Sequence, residues 1–312
     1  MLRFGVPEAR WYLAGQAAAG AGWWVAVATS PRVRAATLGD LPAAVLAVPD
    51  LLLFVGASAL AAGLGSRRWA GVALAWTALV TGGLWAYALA TRQAGWGAIA
   101  MAAALTGTVG AALTLTHGGL PGHWIIVGPF RFRPAPADRS PGAHLRQSLR
   151  QLVVFWVAFF VVVPLALRWV EGQLRLHGSA LDGPAAIVAG AVLLVVFSAV
   201  GIWSCVTMAL RGSGTPLPAA TARDLVVAGP YRWVRNPMAV AGGAQTIAVG
   251  LIVGSWLVVV VAVAGGALWD VAIRPQEEAD LATRFGPAFA RYRAAVRCWL
   301  PRLRPVDATP PP

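Results

Sequence analysis

Residues 184–210 read PAAIVAGAVLLVVFSAVGIWSCVTMAL and carry no Asp, Glu, Lys or Arg. About 20 consecutive apolar residues suffice for an α-helix to cross the hydrocarbon core of a bilayer. The run is longer than that. Its apolar and polar residues do not alternate as they would along a barrel strand, so it reads as a transmembrane helix. Working outward, comparable runs lie at 11–29, 42–64, 69–91, 96–116 and 150–170 on one side, and at 237–254 and 255–273 on the other. The last two are short and meet near Gly254-Ser255, which predicts a tight helical hairpin. The predicted fold is all-α: a polytopic integral membrane protein of about eight transmembrane helices, followed by a C-terminal amphipathic helical segment.

Composition agrees with this reading. The chain has 312 residues, of which 58% are hydrophobic and only 12% charged, with a mean hydropathy of +0.67. Soluble domains carry about 25% charged residues, so this chain has too little polar surface to be covered by water alone. Several of its 15 tryptophans, among them Trp11, Trp69, Trp96, Trp169 and Trp256, fall near the ends of apolar runs, where the membrane interface favours indole. All 25 basic residues are Arg, and the net charge is +13. The arginines lie between apolar segments and form no soluble basic domain, which argues against nucleic acid as a partner and for membrane lipids. With the N-terminus inside, only Arg32, Arg34, Arg92, Arg168 and Arg175 fall outside. The positive-inside rule then predicts a protein of the cytoplasmic (inner) membrane with both termini cytoplasmic. Ala26-Val27-Ala28 looks like a signal-peptide cleavage site, but Gln16 and Glu8 weaken that pattern and the first span is read as retained. Cys205 and Cys298 form no CxxC pair and indicate no disulfide framework.

Three regions follow: 1–140, a four-helix membrane region with a Pro/Arg-rich cytoplasmic loop; 141–304, a core with four further helices; and 305–312, a disordered tail. Polar residues concentrate in two places within the core. The first is residues 211–243, RGSGTPLPAATARDLVVAGPYRWVRNPMAVAGG. Gly212 and Gly214 allow close backbone approach, either to a ligand or within a helix cap and turn. Gly229-Pro230 marks a turn. Asn236-Pro237 reads as a helix start, with Asn at the N-cap and Pro at the first helical position. A helix start with Arg232 and Arg235 beside it suits a carboxylate. The second is residues 274–302, where Leu281, Phe285, Phe289, Tyr292 and Val296 recur on one helical face and Gly286-Pro287 predicts a break. A basic amphipathic segment of this kind commonly lies in the membrane interface. The adjacent Glu277 and Glu278 call for something cationic, or rich in hydrogen-bond donors, set against them.

These two segments together resemble the isoprenylcysteine carboxyl methyltransferase and phospholipid N-methyltransferase superfamily over roughly residues 205–302. Gly212-Ser213-Gly214 is similar to its GxG element. Gly229-Pro230-Tyr231-Arg232 with Arg235-Asn236-Pro237-Met238 is similar to its GPYR…RHPMY segment. Glu277-Glu278, Leu281, Phe285-Gly286, Tyr292, Val296 and Trp299-Leu300-Pro301-Arg302 are similar to its C-terminal ending. The resemblance implies S-adenosyl-L-methionine as cofactor, with Gly212, Gly214, Gly229, Tyr231, Asn236, Pro237, Glu277 and Glu278 as its contacts. It implies a lipophilic methyl acceptor, such as a prenylcysteine carboxylate or a phospholipid amine. This chain has Asn236 where the family usually has His, and Ala239 where it usually has Tyr.

Methyl transfer is an in-line displacement that requires no metal, and the enzyme mainly aligns the two partners in a dry cleft. Arg235, Asn236 and Asp270 are the catalytic candidates. Asp270 lies near a span end, where an acid is costly and often functional, though pairing with Arg274 is the simpler reading. Asp50 follows Pro49 inside an apolar stretch and could line a substrate path. His117, His123, His144 and His177 have no metal-ligand spacing and read as loop residues. GPFRFRP at 128–134 echoes GPYRWVRNP at 229–237. A non-enzymatic assembly or scaffold protein is the alternative, kept open by Asn236 and Ala239. A transporter would need mid-membrane polar residues in two matching halves, and few are present.

Overall fold

The computed structural model describes residues 4–124, 131–136, 140–176, 181, 183–215 and 220–307. In chain order the helices are α1 (Val6–Thr29), α2 (Pro31–Thr37), α3 (Ala43–Leu64), α4 (Arg67–Thr91), α5 (Gly95–His117), α6 (Pro141–Gln173), α7 (Pro184–Arg211), α8 (Pro237–Ile252), α9 (Trp256–Leu268) and α10 (Arg274–Ala295). No strand occurs among the described residues. All eight predicted spans are helical. Among the described residues, six continuous helices are long and apolar enough to cross a membrane, the last of them running from α9 into α10. α1 falls outside that set although it has 24 residues, and α8 is short and apolar.

The chain divides into two compact units. The first comprises Met1–Pro121 with Trp169–His177, the second Gly122–Arg168 with Gly178–Pro312. In the first unit, α1 packs on α5 and on the second half of α3 through Ala9, Leu13, Ala61, Ala62 and Ala111. The alanines in this set let helix backbones approach closely, as small residues do at membrane helix interfaces. At Gly107 an added Cβ would sit 2.1 Å from the Tyr12 ring. The Tyr12 hydroxyl donates to Gln16 Oε1 at 2.8 Å, and Gln16 Nε2 donates to Ser58 Oγ at 3.0 Å. Asp50 is buried where α3 widens into a π-helical turn, Leu51–Gly56. Its carboxylate accepts the indole N–H groups of Trp24 and Trp76, each at 2.8 Å.

In the second unit, α7 and α8 run antiparallel. Gly190 lies against Ala248 and Ile252, Gly201 against Ala241 and Gln245, and Gly229 against Thr207. Gln245 Nε2 donates to Ser198 Oγ at 2.9 Å in the middle of the pair. The predicted hairpin is present: Gly254 has φ +62°, and Ser255 caps α9 by accepting from Val258 N. α10 follows α9 through a π-helical turn and kinks at Gly286, where φ is +48°. Its apolar stripe does not lie open to lipid: Phe289, Tyr292 and Val296 are buried with Leu225, Val227 and Val306. Val306 N donates to Arg232 O at 3.1 Å, and its side chain packs against the Phe289, Tyr292 and Val296 cluster. Residues 308–312, and 128–130 of the echoed GPFRFRP stretch, lie outside the described residues.

Candidate functional site

The polar segments of the second unit gather where α7 ends and α8 begins. Gly212 O accepts from Arg223 N at 2.7 Å, and Thr215 N donates to Ala220 O at 2.7 Å, drawing residues 212–215 against 220–224. An added Cβ would lie 2.7 Å from Met208 O at Gly212 and 2.5 Å from Ala222 Cα at Gly214. Both glycines are therefore required by the loop's own close approach. Thr221 is the junction of this loop. Its N–H donates to Arg133 O at 2.8 Å, and its carbonyl accepts from Ala135 N at 3.0 Å. Arg284 of α10 donates to Thr221 Oγ1 at 3.0 Å and to Ala222 O. The glycine loop, the strand-like 133–135 segment and α10 are thus fastened at one point.

Gly229–Arg232 forms a 3₁₀ turn against α7. Gly229 has φ +50°, and a Cβ there would meet Thr207 Oγ1 at 2.6 Å, so glycine is needed on both counts. Tyr231 is buried beneath it, and its carbonyl accepts the Tyr292 hydroxyl at 2.7 Å. Burial first, and then the neighbouring Tyr292, hold the Tyr231 phenol well above its usual range, so it stays neutral. The chain then pairs with the C-terminal segment: Arg235 N donates to Arg297 O, Arg302 N to Trp233 O and Arg232 Nε to Val306 O. Asn236 is the N-cap of α8, as expected, with Oδ1 accepting from Ala239 N at 3.0 Å, and Pro237 opens the helix. Such a cap is worth about 1 kcal/mol.

The charged centre lies between these segments. Arg235 Nη2 is 3.0 Å from Glu278 Oε1, and Arg293 Nη1 is 3.6 Å from Glu278 Oε2. Arg235 Nε and Nη1 are buried without a hydrogen-bond partner. Glu277 is half-buried and makes no hydrogen bond or ion pair among the described residues. Burial raises its pKa to about 7, helped by Glu278 and opposed by Arg235. Asp270 is engaged otherwise: Oδ1 accepts from Trp299 Nε1 at 2.5 Å and lies 3.0 Å from Arg274 Nε. The contact with Arg274 is the pairing the sequence suggested; the bond from Trp299, which it did not suggest, ties the end of α9 to the C-terminal segment.

A guanidinium with two unpaired N–H positions beside an unpaired carboxylate can take opposite ends of a zwitterion. Arg235 would hold a carboxylate and Glu277 an ammonium. Of the residues singled out from sequence, Arg235, Glu278 and the Gly229–Pro237 stretch are joined by direct bonds or chain continuity. Gly212 and Gly214 reach α10 through Thr221 and Arg284. One group escaped the sequence reading. His144 is not a loop residue but is buried on α6, in line with Ser148 and Gln151. The i, i+4, i+7 spacing was available as a signal. His117 ends α5, the His123 side chain is not described, and His177 lies outside the described residues. Among the described residues there is no cluster of three or more His, Cys, Asp or Glu able to hold a metal.

Residues 185–288, from α7 into α10, match the family model described as phospholipid methyltransferase. That family model is one of the isoprenylcysteine/phospholipid methyltransferase superfamily of membrane methyltransferases, to which this stretch is similar. No curated protein and no solved structure matches the chain.

Proposed function

We propose that the second unit transfers a methyl group from S-adenosyl-L-methionine to a lipid or lipophilic small molecule at the inner leaflet. The observation that carries this reading is the incomplete pairing of Arg235: one nitrogen faces Glu278, while two others are buried and unpaired next to the open carboxylate of Glu277. Burying a charged group without its hydrogen bonds is costly, and the amino-acid end of the cofactor has the charges to complete both. The donor set therefore fits the cofactor. Arg235 would hold its carboxylate, and Glu277 and Glu278 its ammonium and sulfonium side. The unused Asn236 amide donor lies at the same helix start.

When bound, S-adenosylmethionine supplies a methyl on cationic sulfur, an electrophile that needs no metal. The chain's own contribution is to orient and to exclude water. The Asp270–Arg274–Trp299 group fixes the end of α9, and Tyr292 with Tyr231 fixes the loop that carries Arg235. Acceptors of the isoprenylcysteine-carboxylate or phospholipid-amine type suit a site reached sideways from a bilayer. Calorimetry of the full-length protein with S-adenosylhomocysteine tests the reading. Binding that is weakened at least tenfold by Glu277→Ala or Glu278→Ala is expected. Absence of binding by a folded protein would overturn it.

A further inference from the structure

His144, Ser148, Gln151 and Phe155 of α6 follow at spacings of four, three and four, and so share one helical face. At its inner end this face meets α8, since a Cβ on Gly242 would lie 3.6 Å from the Phe155 ring. Toward the start of α6 the face turns polar. His144 is 2% exposed and Ser148 is 0% exposed. His144 Nδ1, Ser148 Oγ and Gln151 Oε1 are all buried without a hydrogen-bond partner. Each such atom costs about 1–3 kcal/mol, and native proteins leave few of them. Three on one face within about two turns mark a place built to meet a ligand.

The depth of that face can be read from two anchors. The 133–135 segment, which precedes α6 in the chain, pairs with Thr221 of the glycine loop. Gly242 is six residues from Asn236, about 9 Å along α8, and Phe155 is seven from Ser148, about 10 Å along α6. Ser148 therefore lies near the level of Asn236, with His144 one turn further out, level with the polar loop. The family match does not include this helix.

We propose that this face of α6 receives the polar head of the methyl acceptor; the identification of the ligand as an acceptor rests on the methyltransferase reading. All three unpaired atoms can accept hydrogen bonds, and Gln151 Oε1 can do nothing else. Arg146 and Arg150 of the same helix are exposed and off the face. The head is accordingly a hydrogen-bond donor, an amine or a hydroxyl, and not a carboxylate.

The test uses full-length protein in detergent, with phosphatidylethanolamine, phosphatidylglycerol and oleic acid as probes in a thermal-shift titration and S-adenosylhomocysteine in separate calorimetry. The double variant Ser148→Ala/Gln151→Leu removes two unpaired polar groups and creates none, so it should fold. The expected result is at least a tenfold loss of affinity for phosphatidylethanolamine, which marks an amine head, or for phosphatidylglycerol, which marks a hydroxyl, with S-adenosylhomocysteine affinity kept within twofold. Unchanged affinity for both lipids together with a raised melting temperature would mean an unpaired core face and overturn the proposal, as would a loss confined to oleic acid. If wild-type protein ignores S-adenosylhomocysteine while the lipid result stands, the methyltransferase reading falls and the face remains a lipid-head site.

Discussion

Arg235 and Glu278, 43 positions apart, form an ion pair of 3.0 Å with side chains only 12% and 9% exposed. Taking both charges out of water is expensive, and the geometry offsets that cost only while each keeps its partner. The pair is therefore a sensitive joint between the start of α8 and α10. Arg235→Ala leaves Glu278 with only the longer contact to Arg293, and should lower stability by about 3 kcal/mol. Arg235→Lys keeps one charge opposite Glu278 but loses the planar array of N–H groups. The Lys variant should fold with near-normal melting and bind S-adenosylhomocysteine at least tenfold more weakly by calorimetry.

Glu277 supplies a pH dependence with a definite sign. Its pKa is about 7 in the folded chain against an ordinary 4.5, so between those values the folded state holds the extra proton. Stability of the ligand-free protein should therefore fall as pH rises from about 4.5 to about 7, and Glu277→Gln should flatten that slope and gain stability at pH 8. A cationic ligand prefers the ionised carboxylate. Affinity for S-adenosylmethionine should then rise with pH through about 7 in the wild type and stay level in the Gln variant, measured by calorimetry across that range.

Gly229 combines a left-handed backbone, φ +50°, with a Cβ position 2.6 Å from Thr207 Oγ1. Left-handed strain alone costs a residue with a Cβ about 1–2 kcal/mol. Gly229→Ala should destabilise by more than that, because the clash is added. Thr207→Ala in the same chain relieves the contact but not the strain, so the double variant should recover only part of the loss in thermal unfolding.

Parts of this arrangement were legible along the chain and parts were not. Asn236-Pro237, Gly254-Ser255 and Gly286 each announce a helix start, a turn or a break through local chemistry, and each does so in the structure. All eight apolar runs are helices. Thr221 gave no such signal, because its meaning comes from pairing with Arg133 and Arg284, 88 and 63 positions away. The polar face of α6 was hidden for a different reason. The helix begins at Pro141, nine residues before the apolar run, in a stretch whose Arg and Pro content reads as loop. His144 thus looked exposed when it is buried. The fate of the α10 stripe was equally non-local: spacing defines an apolar face, but only contact with Leu225, Val227 and Val306 decides that protein covers it.

Tyr292 tests the rigidity of the loop that carries Arg235. Its hydroxyl donates to Tyr231 O at 2.7 Å in a buried setting. Tyr292→Phe leaves that carbonyl unsatisfied, and should cost about 1–3 kcal/mol in thermal unfolding. If the bond also holds Arg235 in place, S-adenosylhomocysteine affinity should fall severalfold while the Arg235–Glu278 pair still protects the fold.

Asp50 makes the contrasting case in the first unit. Two indole donors, Trp24 and Trp76, hold its carboxylate at 2.8 Å each, beside the π-helical turn that follows Pro49. Asp50→Ala leaves two indole N–H groups without an acceptor in an apolar setting, a loss of about 1–3 kcal/mol for each. Adding Trp24→Phe removes one orphaned donor, so the double variant should lose less than the sum of the singles, the coupling expected of groups in contact. Arg235, Glu277 and Glu278 all belong to the second unit, so S-adenosylhomocysteine affinity should stay within twofold throughout. A tenfold drop in Asp50→Ala protein that still unfolds cooperatively would count against assigning the proposed cofactor contacts to the second unit alone.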